Sequence, residues 1–201
     1  MTLINKLNIT DSSELAREEE KISKQKALLM FEEGYLDKLD SGTFQALSEI
    51  HKFLFGDIYE FAGEIRNVNI SKGNFRFVPV MYLEVSLKNI EKMPQKTFDE
   101  IIEKYVEMNI AHPFREGNGR STRIWLDSIL KRELGRVVDW SLVDKDDYLL
   151  AMERSPIKDV EIKVLLKSAL TDKINDREMY MKGIDHSYYY EGYTEYKTKE
   201  L

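Results

Sequence analysis

Apolar residues recur along most of this chain at intervals of three and four, the spacing that turns one face of an α-helix inward. Asp11-Ser12-Ser13-Glu14 reads as a capping box, in which the cap side chain and Glu14 satisfy free amides at a helix start. The helix it opens is polar at first, then apolar through Ala27, Leu28, Leu29 and Phe31, with Gly34 as its stop. Its Lys/Glu-rich stretch, 17–26, is expected to be a solvated face. A second helix is predicted from about Thr43 to Phe55, carrying Phe44, Leu47, Ile50, Phe53 and Leu54 inward. Thr97-Phe98-Asp99-Glu100 is another box, and Pro113 should end its helix near His112, because a residue before proline disfavours the helical region. A long periodic stretch from Gly119 to Leu134 stops at Gly135. Further helices are expected over Lys145–Glu153, Lys158–Leu170 and roughly Asn175–Glu191. Val68 to Val80 departs from this pattern. There, two β-prone runs flank Lys72-Gly73-Asn74 and predict a β-hairpin. The polar tail from Thr194 to Leu201 is expected to fray.

Composition narrows the picture. With 201 residues, 4 Pro and 10 Gly, the chain suits one domain with a real core and no low-complexity linker. The absence of cysteine excludes a disulfide scaffold, a thiolate zinc site and a cysteine nucleophile. No apolar run approaches the ~18 residues that would span a bilayer. The N-terminal MTLINKLNIT lacks the basic-then-apolar pattern of a secretory leader, so a cytoplasmic protein with no membrane partner is expected. A formal net charge of −6 disfavours nucleic acid as a partner.

One segment carries candidate chemistry: His112-Pro113-Phe114-Arg115-Glu116-Gly117-Asn118-Gly119-Arg120-Ser121-Thr122-Arg123. Gly117-Asn118-Gly119 leads directly into a helix, so backbone amides and the helix end together form an anion nest. Arg120 and Arg123 follow three residues apart, on one face. Cations at a helix N-terminus oppose the macrodipole by ~0.3–1 kcal/mol each. Their placement makes sense if a polyanion fills the nest, and a phosphate chain suits the bidentate guanidinium. Glu116 beside that nest would repel phosphate unless a cation intervened, and Mg²⁺ is typically held by one or two carboxylates plus substrate phosphates. His112 is the nearby group able to take a proton near neutral pH. These parts together suggest nucleotide-phosphate transfer to a hydroxyl. The spacing differs from that of a P-loop.

At every defined position the segment matches the Fic family signature, His-Pro-Phe-x-[Asp/Glu]-Gly-Asn-[Gly/Lys]-Arg-x-x-Arg, and the chain resembles that family over nearly its whole length. Leu54 to Arg66 resembles the stretch before the family's flap, with Phe61 where Trp is more usual. The resemblance implies an all-α fold, a Fic-type helical bundle with a small β-hairpin flap, as a single domain over 1–201. Within it lie the flap (68–80), the motif (112–123) and a C-terminal inhibitory helix (175–192). The implied activity is transfer of AMP from ATP to a Tyr, Ser or Thr hydroxyl of a target protein, with Mg²⁺ as cofactor. By the same resemblance His112 is the base, Glu116 the metal ligand, and Phe114 the anchor of the loop. Gly117, Asn118 and Gly119 form the phosphate nest, Arg120 and Arg123 clamp phosphates, and Lys72 and Tyr148 line the nucleotide pocket. Gly119 stands where a kinase-like subfamily resembling Doc carries Lys, which favours AMP transfer.

Ser187-Tyr188-Tyr189-Tyr190-Glu191-Gly192 resembles the inhibitory motif [Ser/Thr]-x-x-x-Glu-[Gly/Asn] of autoinhibited Fic proteins that carry it at the C-terminus, the class III arrangement. Ser187 and Glu191 share one helix face at i and i+4. The resemblance has Glu191 pairing with Arg123 in place of the ATP γ-phosphate. Two alternatives stay open: a bifunctional or net de-AMPylating enzyme that uses Glu191, and a non-catalytic Fic-fold binding module. A homo-oligomer is a further partner state that the resemblance suggests. His51, on an amphipathic helix, reads as packing or a hydrogen bond, and the tyrosine run 188–190 reads as packing. The three histidines lack zinc-site spacing.

Overall fold

The computed structural model describes residues 2–201. Eight α-helices occur among them: α1 (Ser12–Glu32), α2 (Phe44–Phe55), α3 (Val80–Glu91), α4 (Phe98–Ala111), α5 (Asn118–Leu134), α6 (Lys145–Arg154), α7 (Val160–Ser168) and α8 (Arg177–Tyr190). The helix of the motif, α5, lies at the centre. Ile124, Trp125, Leu126, Ile129 and Leu130 are buried on several of its sides, and its polar Ser121, Thr122 and Arg123 are buried too. A helix buried nearly all round is core rather than surface. It packs against α2, α4 and α8, and Leu47, Ile50, Leu54, Ile101 and Tyr105 belong to the same buried core.

Local signals set the ends of these helices. Asp11 caps α1 by accepting from the Glu14 amide at 2.8 Å. At α4 the capping box closes in both directions, with Glu100 Oε2 accepting from the Thr97 amide (2.9 Å) and Thr97 Oγ1 accepting from the Glu100 amide (3.3 Å). Gly135, at φ +60°, ends α5 in the left-handed conformation that favours glycine. No helix among the described residues is long and apolar enough to cross a membrane.

The structure corrects the sequence reading at four points. The hairpin pairs only β1 (Ser71–Lys72) with β2 (Phe75–Arg76), and Val80 already opens α3. Helix α3 was not foreseen, although its Leu83, Leu87 and Ile90 bury at helical spacing. A second antiparallel pair joins β3 (Val137–Val138) to β4 (Leu170–Thr171). Fourth, the charged stretch of α1 is not the solvated face expected, and the tail expected to fray is hydrogen-bonded to it. Glu19, Glu20 and Lys24 are buried, and the tail docks on them. Lys24 Nζ donates to Glu20 Oε1 (2.8 Å) and to the Tyr196 carbonyl (2.7 Å), while Glu20 accepts from the Glu195 and Tyr196 amides.

Candidate active site

Helix α4 delivers His112. Proline at 113 disfavours the ordinary helical conformation for its predecessor, and His112 caps the helix in the left-handed region at φ 49°. A non-glycine residue there is strained, by about 1–2 kcal/mol. Its Nδ1 lies 3.3 Å from the Asn109 carbonyl and donates to it, which leaves the lone pair on Nε2. The ring stacks on Phe77 of the flap segment, with centroids 3.7 Å apart and planes at 13°. Burial pushes the imidazole down to about 4, so it is neutral at pH 7.

The loop after His112 is held from inside. The Asn118 side chain accepts from the Phe114 amide and donates to the Phe114 carbonyl, both at 2.8 Å. The buried Phe114 ring stacks on His51 at 3.9 Å. His51 Nδ1 accepts from the Gly63 amide (2.9 Å), so its Nε2–H donates to the Glu116 carbonyl (2.8 Å). His51 thus props the loop, a role that its helical spacing alone does not disclose. Gly117 adopts φ +76°, and a Cβ there would strike the Phe55 ring.

At the start of α5, Gly117 offers no capping side chain, so the first-turn amides look to a group from outside the helix. The Glu191 carboxylate lies beside Gly119, where a Cβ would overlap it. Glu191 Oε1 accepts from Arg123 Nη2 at 2.9 Å, and Lys72 Nζ of the flap stands 4.0 Å from Oε2. Arg123 is buried and also donates to Ser187, to Oγ from Nε (2.7 Å) and to the carbonyl from Nη2 (2.8 Å). The Tyr148 hydroxyl lies 3.4 Å from Arg123 Nη1. Burial alone would raise the Glu191 carboxyl, but the guanidinium of Arg123, then that of Arg120, outweighs it and holds the group at about 2. Tyr188 and Tyr190 are buried as packing.

Arg120 lies elsewhere. Its fully buried guanidinium pairs with Glu19 of α1 (2.5 Å) and Glu116 (3.1 Å), and lies over the Phe55 and Tyr193 rings. Tyr59 and Tyr193 both donate to Glu19. Glu19 was missed in sequence because its charged neighbours suggested solvent and its partner is a hundred positions away. Glu116 Oε1 accepts from the Gly117 amide at 2.9 Å and from Arg120, and the side chain is 43% exposed. No cluster of three acidic or histidine side chains able to cage a metal occurs among the described residues. A half-exposed carboxylate beside an anion nest nevertheless fits Mg²⁺, which takes most of its remaining ligands from phosphates and water.

The structure therefore gathers Lys72, Gly119, Arg123, Tyr148, Ser187 and Glu191 round one point. It sets Glu116 and Arg120 on the loop side of α5, and His112 against the flap. The profile of the Fic/DOC family matches residues 41–130. The chain is 30% identical over 165 residues to the probable protein adenylyltransferase y4lH of Sinorhizobium fredii, covering 76% of this chain and 82% of that protein. It is 30% identical over 198 residues to the protein adenylyltransferase VbhT of Bartonella schoenbuchensis, covering 91% of this chain and 40% of that longer protein. Among solved structures, the BepC protein of Bartonella tribocorum with bound AMPPNP superposes with a TM-score of 0.73 at 22% identity, over 85% of this chain and 93% of that one. Fic-1 (aa134–508) of C. elegans shares the fold at a TM-score of 0.59 and 19% identity, over 88% of this chain and 52% of that one.

Proposed function

Because the chain belongs to the Fic/DOC family, we propose that it transfers AMP from ATP to a hydroxyl side chain of a target protein, and that Glu191 holds this activity off. The observation that carries the transfer reading is a neutral His112, with Nε2 free to accept, on the same short loop as a helix start built to receive an anion. The target hydroxyl gives its proton to His112 Nε2 as its oxygen bonds to the α-phosphorus. The bond from that phosphorus to the bridging oxygen breaks, and pyrophosphate leaves. The amides opening α5 and the Arg123 guanidinium stabilise the phosphate charge. Glu116 would hold Mg²⁺, which neutralises phosphate charge when bound. Arg120 keeps Glu116 oriented through its 3.1 Å contact while anchored on Glu19.

The inhibitory reading rests on the Glu191–Arg123 pair. A carboxylate paired with Arg123 beside Gly119 would compete with a terminal phosphate for that guanidinium, in keeping with the C-terminally inhibited, class III proteins that the chain resembles. With its carboxyl held at about 2, Glu191 is a weak base while paired, and this favours a plug over a water-activating role.

Incubation with α-³²P-ATP and a mixture of cytosolic proteins tests both parts. Label should pass to protein, more strongly by at least tenfold in Glu191→Gly, and not at all in His112→Ala. Absence of α-label in Glu191→Gly would overturn the transfer reading, and transfer of γ-label would make the enzyme a kinase. A Glu191→Gly variant no more active than the parent would overturn the brake.

A further inference from the structure

Arg66 is a buried cation without an anionic partner among the described residues: it is 4% exposed, and its guanidinium meets only carbonyl oxygens. Nε donates to the His112 carbonyl (2.8 Å) and Nη1 to Val68 (2.8 Å). Nη2 donates to both Val78 (2.5 Å) and Ala111 (3.1 Å). The Arg66 amide donates to the Pro113 carbonyl at 2.8 Å. Burial pulls its pKa below the ordinary arginine value, yet a guanidinium stays charged.

These acceptors fall into two groups. Ala111, His112 and Pro113 are consecutive peptide units around the base. Val68 and Val78 flank the hairpin, one before β1 and one after β2. A helix leaves its last carbonyls without partners, and at the end of α4 each finds one. Met108 accepts from the His112 amide, Asn109 from the His112 ring, Ile110 from the Val78 amide, and Ala111 from Arg66. The negative end of the α4 dipole also favours a cation there. One side chain thus joins both ends of the flap to the backbone that carries His112.

We propose that Arg66 is a positioning residue that sets the flap, and with it Phe77 and the incoming target hydroxyl, against the His112 imidazole. Its fork reaches four oxygens in diverging directions. A lysine ammonium, a point donor on a flexible stem, cannot span them. Arg66 makes no hydrogen bond to α5 or to the nest among the described residues, so its role is separate from nucleotide binding. The activity half of the test rests on the AMP-transfer reading, while the spectroscopic half does not.

The test is made on the full chain with Arg66→Lys, which keeps the charge and loses the fork. The His112 imidazole is titrated by NMR. It is faced by Arg66 from the segment before the flap, Lys72 from the flap, and Glu191 at the end of α8. Its midpoint should rise from about 4 toward the ordinary 6.5 as the Phe77 stack loosens and water enters. In the Glu191→Gly background, Arg66→Lys should lower kcat for protein labelling at least tenfold and leave the KM for ATP within twofold. An unmoved His112 midpoint together with unchanged kcat would overturn the proposal, as would an equal loss in kcat and in ATP affinity. Should Arg66→Lys not fold, Phe77→Ala, at the half-buried partner of the stack, decides: a midpoint still at about 4 overturns the coupling of flap to His112. If Glu191→Gly itself transfers nothing, the AMP-transfer reading has failed, and the titration still judges Arg66.

Discussion

His51 and His112 show how the same residue type is put to different uses by its hydrogen bonds. In His51 both nitrogens are engaged, one as acceptor and one as donor, so the ring is a strut and has no lone pair left for chemistry. In His112 one nitrogen is engaged and the other is free. Both rings are neutral in the fold. For His51 burial is the chief cause, and it holds the ring at about 4. The unfolded chain binds a proton on this histidine below pH 6.5, and the folded chain does not until about pH 4. Its contribution to stability is therefore complete above pH 6.5 and is lost as pH falls to 4, about 3 kcal/mol in all. Asp127 acts in the opposite sense across the whole of this window, because burial raises its carboxyl to about 7. The informative quantity is thus the difference in urea-unfolding free energy between the parent and His51→Gln. That difference should shrink by about 3 kcal/mol between pH 7 and pH 4, and a difference independent of pH would contradict the assignment. Glu191 belongs to a lower window, since a carboxyl held at about 2 loses its contribution only as pH falls from 4.5 toward 2.

Among the elements, the contact between the start of α5 and the end of α8 is the one on which the proposed inhibition turns. Gly119 permits it. Its backbone is helical, so glycine is required there for room and not for conformation, and the room is filled by the Glu191 carboxylate. Gly119→Ala should push that carboxylate off Arg123. The Glu191 titration midpoint, read by ¹³C NMR, should then climb from about 2 toward 4.5, and a midpoint that stayed at about 2 would refute the geometry. Most helices were legible because their ends carry chemistry: Asp11 and Thr97 as caps, Pro113 and Gly135 as stops. Helix α3 was less so, since Pro79 before it provides no capping side chain and the flap's β-prone residues run straight into Val80. The β3–β4 pair joins two-residue strands separated by two helices, a length at which alternation carries no signal. In the candidate site, the motif from His112 to Arg123 was readable as a contiguous string. Glu19, His51 and Arg66 were not, because what each does depends on backbone groups or charges far away in sequence.

At the scale of the whole molecule, the first helix and the last residues are joined by charges that sequence alone assigns to solvent. Lys24 sits between Glu20 (2.8 Å) and Asp185 of α8 (3.2 Å), and it holds the Tyr196 carbonyl. Glu20 in turn holds two amides of the tail, and Asp185 accepts from the amide and hydroxyl of Thr198. Removing a solvated lysine changes stability by no more than about 0.5 kcal/mol. Removing a buried one strands the carboxylates it neutralised, and breaking such a pair from one side costs about 3–5 kcal/mol. The two pictures of α1 therefore differ about six- to tenfold in what Lys24→Met should do. For a domain of this size, where 1 kcal/mol moves the melting temperature by about 2–4 °C, the buried network predicts a fall on the order of 10 °C. The loss should be local as well as global: the Glu195 and Tyr196 amides, which depend on Glu20, should exchange with deuterium faster than those in the middle of α5. A melting temperature within 2 °C of the parent, with tail exchange unchanged, would return α1 to the solvated face that its Lys/Glu pattern suggests. A fall of the expected size would mean that α8, and Glu191 at its end, is held in place partly from α1, across the full length of the chain.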